Sequence, residues 1–381
     1  MDRQNTMCGN AVAASSKPWA IHITTAISDL HRQPSRKTYG ATSSTGRHAM
    51  RITSAIKGTM VGFALLGMMP APQALAAQHL RVTGNFPVEH SISKAMEVFK
   101  QEVEKNTKGE LVIDLFPNMM LGGAQENVDQ ARNGTTFGTM LSVAYLSRVV
   151  PEFEAISLPF IFDSREKAYG VVDGKVGKIL DEKMAAKGFK GLGFGELGFR
   201  NVTNNVRPIA ELKDFKDLKI RLQPNQVHLD TFRALGANPV SMDISEVYSA
   251  LQQGVLDGQE NPYDSIATRR FNEVQKYISG SRHLFDFAVF VANKRTFDKL
   301  SPENQDIVLK AANAAMQWQR NQSATQAMKW KDELIKRGMQ YTEITSDARK
   351  EMQKATLPVI EKVKKNIDPQ VIDAVLSEVG A

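Results

Sequence analysis

The stretch Asp217-Leu-Lys-Ile-Arg-Leu-Gln-Pro224 reads as a short strand that ends on a charge. Alternation puts Leu218 and Ile220 on one face and Lys219 and Arg221 on the other, and Pro224 ends the run by withdrawing a ladder donor. In α/β sheets ligand sites form at such strand ends, so the guanidinium of Arg221 is placed where an anion can meet it. Outward from there, Leu235-Gly-Ala-Asn-Pro239 makes a turn and Ser245 to Gly254 reads as a capped amphipathic helix. Asp257-Gly-Gln-Glu-Asn-Pro262 forms a second strand-to-loop exit. Two strand exits, one carrying an Arg and one an Asn, imply a shared crevice.

The upstream half repeats this alternation. It predicts a strand over Leu80 to Gly84, a helix over Ser91 to Thr107, a strand over Leu111 to Phe116 and a helix over Ala124 to Asn133 that stops at Gly134. Strands alternating with helices imply a parallel α/β sheet. A strand near Thr136 to Ser142, the Pro151 to Phe162 segment, a helix over Arg165 to Lys187 and a strand at Gly191 to Phe194 complete a first lobe. A second lobe begins near Arg200. Ala288 to Asn293 is an apolar strand, and Ser301-Pro-Glu-Asn304 opens a helix with Pro at its first position. That helix runs past Trp318 and Trp330, long enough to brace both lobes.

The chain has 381 residues and 42% hydrophobic content, enough for two ordinary domains with their own cores. Its formal charge is +7, but residues 1 to 77 hold eight Lys/Arg and two Asp/Glu, which leaves 40 against 39 in the remainder. Acids are interspersed with the bases and no run interleaves aromatics with Lys/Arg, which argues against nucleic-acid binding. Cys8 is the single cysteine, so a product lacking the leader has no thiol, disulfide or Cys-based metal site. Arg51 and Lys57, the apolar stretch Met60 to Met69, and Ala74-Leu-Ala76 follow the order of a secretory signal over residues 50–77, with a mature start at Ala77 or Gln78. The apolar stretch is about ten residues, half of what a spanning helix needs. The expectation is an exported protein, not inserted in the membrane, with residues 1–49 a mis-assigned start or a disordered extension.

Lys219-Ile-Arg, Gly236-Ala-Asn-Pro, Ser245-Glu-Val-Tyr, Ala250-Leu-Gln, Asp257-Gly-Gln-Glu-Asn-Pro and Phe271-Asn-Glu-Val-Gln-Lys-Tyr277 occur in series, with Leu121-Gly-Gly and Leu158-Pro-Phe160 before them. In that order, from about Leu80 to the C-terminus, the chain resembles the DctP-type solute-binding proteins of TRAP transporters. The resemblance implies a two-lobe periplasmic-binding-protein fold of α/β class, with mixed sheets, inter-lobe crossovers and a long bracing helix. The expected lobes are 78–198 plus about 287–326, and 199–286 plus about 327–381. The implied function is capture of a small organic acid, a C4-dicarboxylate or a sugar acid, and delivery to the small and large subunits of a membrane permease. It further implies a periplasmic monomer with no cofactor, no metal and no catalysis. A sensor of the same fold feeding a membrane kinase is the alternative.

The resemblance makes Arg221 the carboxylate clamp, and a guanidinium suits that role because its paired N–H groups match a carboxylate at any physiological pH. A surface salt bridge to Asp217 or Glu211 is the competing reading. Arg200, at the expected hinge, is implied as a second anion contact or an interdomain brace. Asn261 can donate and accept, or it can form an Asx turn before Pro262. The first lobe offers Asn85, His90, Gln125 and Ser142. Gly122-Gly123-Ala124 adds free backbone N–H groups at a helix start. Ser142 stands where sialic-acid binders of the family carry a carboxylate, which argues against sialic acid. Tyr145, Phe86, Phe199 and Tyr263 are candidate stacking groups, of which Tyr263 is placed in the site, although aromatics in such folds more often fill cores. His283 with Asp286 resembles a base and its orienting carboxylate, but the sequence offers no nucleophile to complete a hydrolase or lyase.

Overall fold

The structure, a computed structural model, describes residues 77–380. The 1–49 extension and, apart from Ala77, the expected leader lie outside the described residues. Along the chain come β1 (Gln78–Gly84), α1 (Ser91–Asn106), β2 (Leu111–Phe116), α2 (Ala124–Asn133), β3 (Gly138–Ser142) and α3 (Val143–Leu146). A 3-10 turn over Pro151–Ser157 leads to α4 (Arg165–Asp173), α5 (Lys175–Ala186) and β4 (Phe189–Phe199). Next are β5 (Asn201–Asn204), β6 (Lys219–Leu222), α6 (Gln226–Ala234), β7 (Asn238–Ser241), α7 (Ile244–Gln252), β8 (Gly258–Asn261), α8 (Tyr263–Thr268) and β9 (Tyr277–Ser279). β10 (Phe285–Asn293), α9 (Lys294–Asp298), α10 (Pro302–Lys336), β11 (Gln340–Thr342), α11 (Ser346–Asn366) and α12 (Pro369–Val379) close the described chain.

Two mixed sheets result, one per lobe. The first has five strands in the order β2-β1-β3-β10-β4 and the second six in the order β11-β9-β5-β8-β6-β7. In the first, β1 runs parallel to β2 and β3, while β10 is antiparallel to β3 and β4. In the second, β6 is parallel to β7 and β8, and β5 is antiparallel to β8 and β9. The chain therefore crosses between lobes at Arg200, the one residue between β4 and β5, and returns just before β10. Every residue of β10 is buried, as a near-continuous apolar run requires of a strand covered on both faces.

Local chemistry sets the element ends. Ser301 accepts from the Asn304 amide with Pro302 at the first helical position of α10, and Gly134 closes α2 in the left-handed region at φ 86°. Two sequence expectations change. The helix expected over Arg165 to Lys187 breaks at Gly174, whose φ −90° and ψ −145° are not helical. The turn expected at Leu235 to Pro239 gives up Asn238 and Pro239 to β7. A proline is tolerated there because β7 is an edge strand.

α10 is 35 residues long and packs against α1 and β4 of the first lobe and α8 of the second. Gln319, buried at its middle, accepts from the Glu196 amide and donates to the Glu196 carbonyl, both at 2.7 Å, and to Ser91 Oγ at 3.0 Å. The C-terminal stretch 327–381 divides in its packing. α11 lies on α6, whereas α12 lies on α4 and α5 and joins the apolar cluster of the first lobe through Val371, Ile372 and Val375.

Candidate functional site

Arg221 is fully buried at the end of β6. Its Nε and Nη2 donate to the Met242 carbonyl at 2.8 and 2.7 Å, and Nη2 also donates to the Tyr145 hydroxyl, 3.1 Å away on α3 of the other lobe. Its Nη1 is buried without a partner, and Arg221 forms no ion pair with a carboxylate among the described residues. Burial pushes the Tyr145 hydroxyl up despite the nearby Arg221 charge. It is therefore a neutral phenol, able to donate towards the seam between the lobes.

The two lobes meet around this arginine. Gly123, the cap of α2, abuts Asp243, the cap of α7. A Cβ at Gly123 would lie 3.3 Å from Asp243 Oδ1, so the glycine lets the two helix starts approach. Arg269, just after α8, donates to the Asn85 carbonyl at 2.5 Å and lies 5.7 Å from the Phe86 ring centre. Burial, with Arg221 adding to it, holds the Arg269 guanidinium down to about 10. Asp243 and Asp264 act the other way on Arg269 without reversing the shift.

Neutral polar groups lie on the elements that flank the seam. Asn85 Oδ1 at the end of β1, Gln125 Oε1 in the first turn of α2 and Gln223 Oε1 beyond β6 are all buried without partners. Asn127, on α2, has neither amide atom partnered, and His228 has a free Nδ1. Burial pulls His228 down to about 3, so its ring is neutral at physiological pH.

A second charged group, next to the crossovers, is fully satisfied. Arg200 is fully buried and donates from Nε and Nη2 to Glu260, from Nη1 to Asp286 at 2.7 Å and from Nη2 to Asn261 Oδ1 at 3.1 Å. Burial would lower the Arg200 pKa, but Glu260 and Asp286 outweigh it and hold it high. Burial likewise opposes the charge on Glu260, and Arg200 with His283 overcomes it and holds the carboxyl low. Asp286 shares the same cation through one bond and is pushed up to about 6 by burial.

The sequence-derived residues thus fall into two sets. Arg221, Asn85 and Gln125 carry free buried atoms. Arg200, Asn261 and Ser142 are engaged in internal bonds: Asn261 donates to Gln259, and Ser142 donates to Asp286 while capping α3. His90 caps α1 through Nδ1 and faces Ser265 at 3.2 Å and Asp264 at 3.0 Å through Nε2. Tyr263 lines a different feature, a groove of about 540 Å³ along α10 with Trp318, Trp330 and Tyr341. His283 is not paired with Asp286. Its ring nitrogens face Ser281 and Glu260, at 2.8 and 3.2 Å. Sequence reasoning passed over Gln223, Arg269 and His228 as site residues. Gln223, two residues beyond Arg221 on the same alternating face, was the one with a readable signal. Among the described residues no His, Cys, Asp and Glu group converges to hold a metal, and no helix is long and apolar enough to cross a membrane.

Residues 83–366 match the family described as bacterial extracellular solute-binding protein, family 7, DctP. The chain is 34% identical over 267 residues to the 2,3-diketo-L-gulonate-binding periplasmic protein YiaO of Escherichia coli, covering 70% of this chain and 81% of that one. It is 31% identical to the C4-dicarboxylate-binding periplasmic protein DctP of Rhodobacter capsulatus, covering 85% and 98%. The crystal structure of the sugar acid binding protein DctPAm of Advenella mimigardefordensis, in complex with galactonate, superposes with a TM-score of 0.78 at 32% identity, covering 80% of this chain and 98% of that one.

Proposed function

Because this chain belongs to the DctP family of TRAP solute-binding proteins, which bind small organic acids, we propose that Arg221 clamps the carboxylate of such an acid between the lobes and that the closed protein carries it to a membrane permease. One observation carries the reading. Arg221 is a fully buried cation with one nitrogen free and no ion pair to a carboxylate among the described residues. A buried, uncompensated charge costs several kcal/mol, and a ligand carboxylate removes that cost, so the empty protein favours opening and the loaded one closing. Tyr145 ties Arg221 to the opposite lobe, which makes clamp and closure one event. Arg200, neutralised by Glu260 and Asp286, acts as the brace of the hinge in this reading. The relatives named above are binding proteins, which does not favour a sensor feeding a kinase. We place the protein in the periplasm, as its relatives' names have it.

A thermal-shift screen of the purified protein against dicarboxylates, sugar acids and neutral sugars tests the clamp. A ligand at 100 times its Kd adds about 2.7 kcal/mol, which raises the melting temperature by roughly 4 °C at an unfolding entropy of about 2.1 cal/mol/K per residue over about 300 residues. Acids are expected to stabilise the wild type and to leave Arg221→Ala unmoved. Equal stabilisation of the variant, or stabilisation by neutral sugars alone, rejects the clamp.

A further inference from the structure

Resting on the reading that the lobes close over the acid, we propose that the loop 85–90 and α8 form a latch between the lobes, with His90, Asp264 and Arg269 as positioning residues that set how long the acid stays bound. The loop joins β1 to α1 in the first lobe, and α8 follows β8 in the second. His90 Nδ1 accepts from the Ile92 amide at 3.1 Å, so the ring proton sits on Nε2. That nitrogen donates across the seam to Asp264 Oδ2 at 3.0 Å, with Ser265 Oγ 3.2 Å away. At the other end of α8, Arg269 Nη2 donates to the Asn85 carbonyl at 2.5 Å and the guanidinium lies over the Phe86 ring. Phe86 in turn stacks on His90, ring centres 4.4 Å apart. Phe86, His90 and Asp264 are all buried by this contact and its surroundings.

Each half of the latch is anchored in its own lobe. Phe86 and Ile92 belong to an apolar cluster with Leu80, Val82 and Met96, whereas Ile266 and Ala267 belong to another with Val247, Leu251 and Phe271. The Phe86 carbonyl accepts from the Asn118 amide at 2.8 Å and from Ser93 Oγ at 2.9 Å, and the Arg269 amide donates to the Ser265 carbonyl at 3.1 Å. None of these bonds crosses the seam, so the contact can part without unfolding either side. Open grooves border both ends of it, one of about 540 Å³ at Ser91, Tyr263 and Asp264 and one of about 490 Å³ at Pro87, Thr268 and Arg269. The latch also senses the load. Arg221 disfavours the positive charge on Arg269. An anion held at Arg221 cancels that repulsion, so the bond from Arg269 to the Asn85 carbonyl strengthens once the acid is in place, and the latch closes in preference on the loaded protein.

Stopped-flow fluorescence of the purified protein tests this, with Trp318 and Trp330 in the groove beside Asp264 as reporters and D-galactonate, D-glucuronate and succinate as probes. Asp264→Ala and Arg269→Met are each expected to raise koff about tenfold with kon unchanged. Arg269→Lys, which can still donate to the Asn85 carbonyl, should recover most of the lost residence time. The latch forms only on closing, so the melting temperature of the empty protein should stay where it is in all of these. His90→Asn keeps a cap for α1 but falls short of Asp264, and its koff decides the matter should Asp264→Ala fail to fold. Unchanged koff, with or without a fall in the empty protein's melting temperature, overturns the latch. A fall in kon instead, which is what lost attraction of the anion gives, also overturns it, and both results leave the clamp standing where Arg221→Ala abolishes binding. No binding of any probe, or binding that ignores Arg221→Ala, overturns the clamp and the latch with it.

Discussion

Arg200 and Arg221 are both fully buried arginines, 21 positions apart in sequence, yet their environments assign them opposite duties. Arg200 is matched by carboxylates, so removing a partner leaves a buried charge: Glu260→Ala is expected to cost about 3–5 kcal/mol, read by urea unfolding of the ligand-free protein. Arg221 carries a desolvation cost that the Met242 carbonyl and Tyr145 offset only in part, with no carboxylate paired to it among the described residues. Arg221→Met should therefore leave ligand-free stability unchanged or raised while abolishing acid binding, a trade between stability and function. A loss of stability equal to that of Glu260→Ala would make Arg221 a structural arginine. Titration near the crossovers gives a second residue-scale expectation. Burial holds His228 down to about 3, against 6.5 for the free group, and also lowers His283. The folded protein then binds fewer protons than the unfolded chain below pH 6.5, so stability is lost as pH falls. Asp286, raised from 3.8 to about 6 chiefly by burial, binds its proton earlier in the folded form and returns part of that loss below pH 6. His228 sets a decline between pH 6.5 and 6, Asp286 cancels that proton below 6, the lowered His283 adds to the loss, and below 4.5 the depressed Glu260 deepens it. Unfolding free energies at pH 5, 6 and 7 should fall with acidity by about 1.4 kcal/mol per pH unit for each net proton, and His228→Gln should flatten the slope.

At the scale of elements, β8 sets the distance between the strand that carries Arg221 and the strand that follows the first crossover. Gly258 pairs with Asn204 on β5 and Ile220 on β6, and a Cβ there would lie 2.0 Å from the Thr203 carbonyl oxygen and 2.9 Å from Asn204 Cβ. Backbone cannot yield as a side-chain tip can, so Gly258→Ala is expected to cost about 1–3 kcal/mol and to weaken acid binding as well, because β6 shifts with β8. A melting curve beside a titration checks both, and an unchanged Kd would show that the strand end holds its position independently. Much at this scale was legible in the sequence. The strand over Leu111 to Phe116 and the helix over Ala124 to Asn133 fall where period and stop signals put them, since each pattern is local. The split at Gly174 was not legible, because a single glycine within a good helical period is usually tolerated. The mixed character of the sheets followed from the family resemblance and not from periodicity, since it depends on β10 returning between β3 and β4. At the site, Arg221 stood out because a charge at a strand end is odd for its position. Arg200 gave no sign of being neutralised, since Glu260 and Asp286 come from distant parts of the chain. Gln223 looked like an ordinary polar residue in the sequence, and its amide oxygen is buried without a partner in the fold.

For the whole molecule, capture requires that the lobes separate to load the acid and close to hold it. The seam offers a direct way to stop that motion. Gly123 and Asp243 face each other from the two lobes, and a Cβ built on Gly123 would be 3.4 Å from Asp243 Cγ, the position that the sulfur of a cysteine at 243 would take, which puts the two side chains within reach of a bond of about 2 Å between sulfurs. Gly123 has φ −66°, a conformation open to any residue. The single cysteine, Cys8, lies in the 1–49 stretch ahead of the expected signal, so two introduced thiols would meet no competitor in a protein that starts at Ala77 or Gln78. Gly123→Cys with Asp243→Cys should therefore oxidise to a closed form. Replacing Asp243 removes a helix cap, at about 1 kcal/mol, which the crosslink offsets by restricting the unfolded chain. Oxidised without ligand, this variant should bind no acid. Oxidised with ligand, it should retain the acid through dialysis that empties the wild type, and a reductant should reverse both. Because ligand dissociation normally waits on opening, retention measured this way separates a clamp that works by closure from a static pocket, which would exchange its acid equally fast in either redox state.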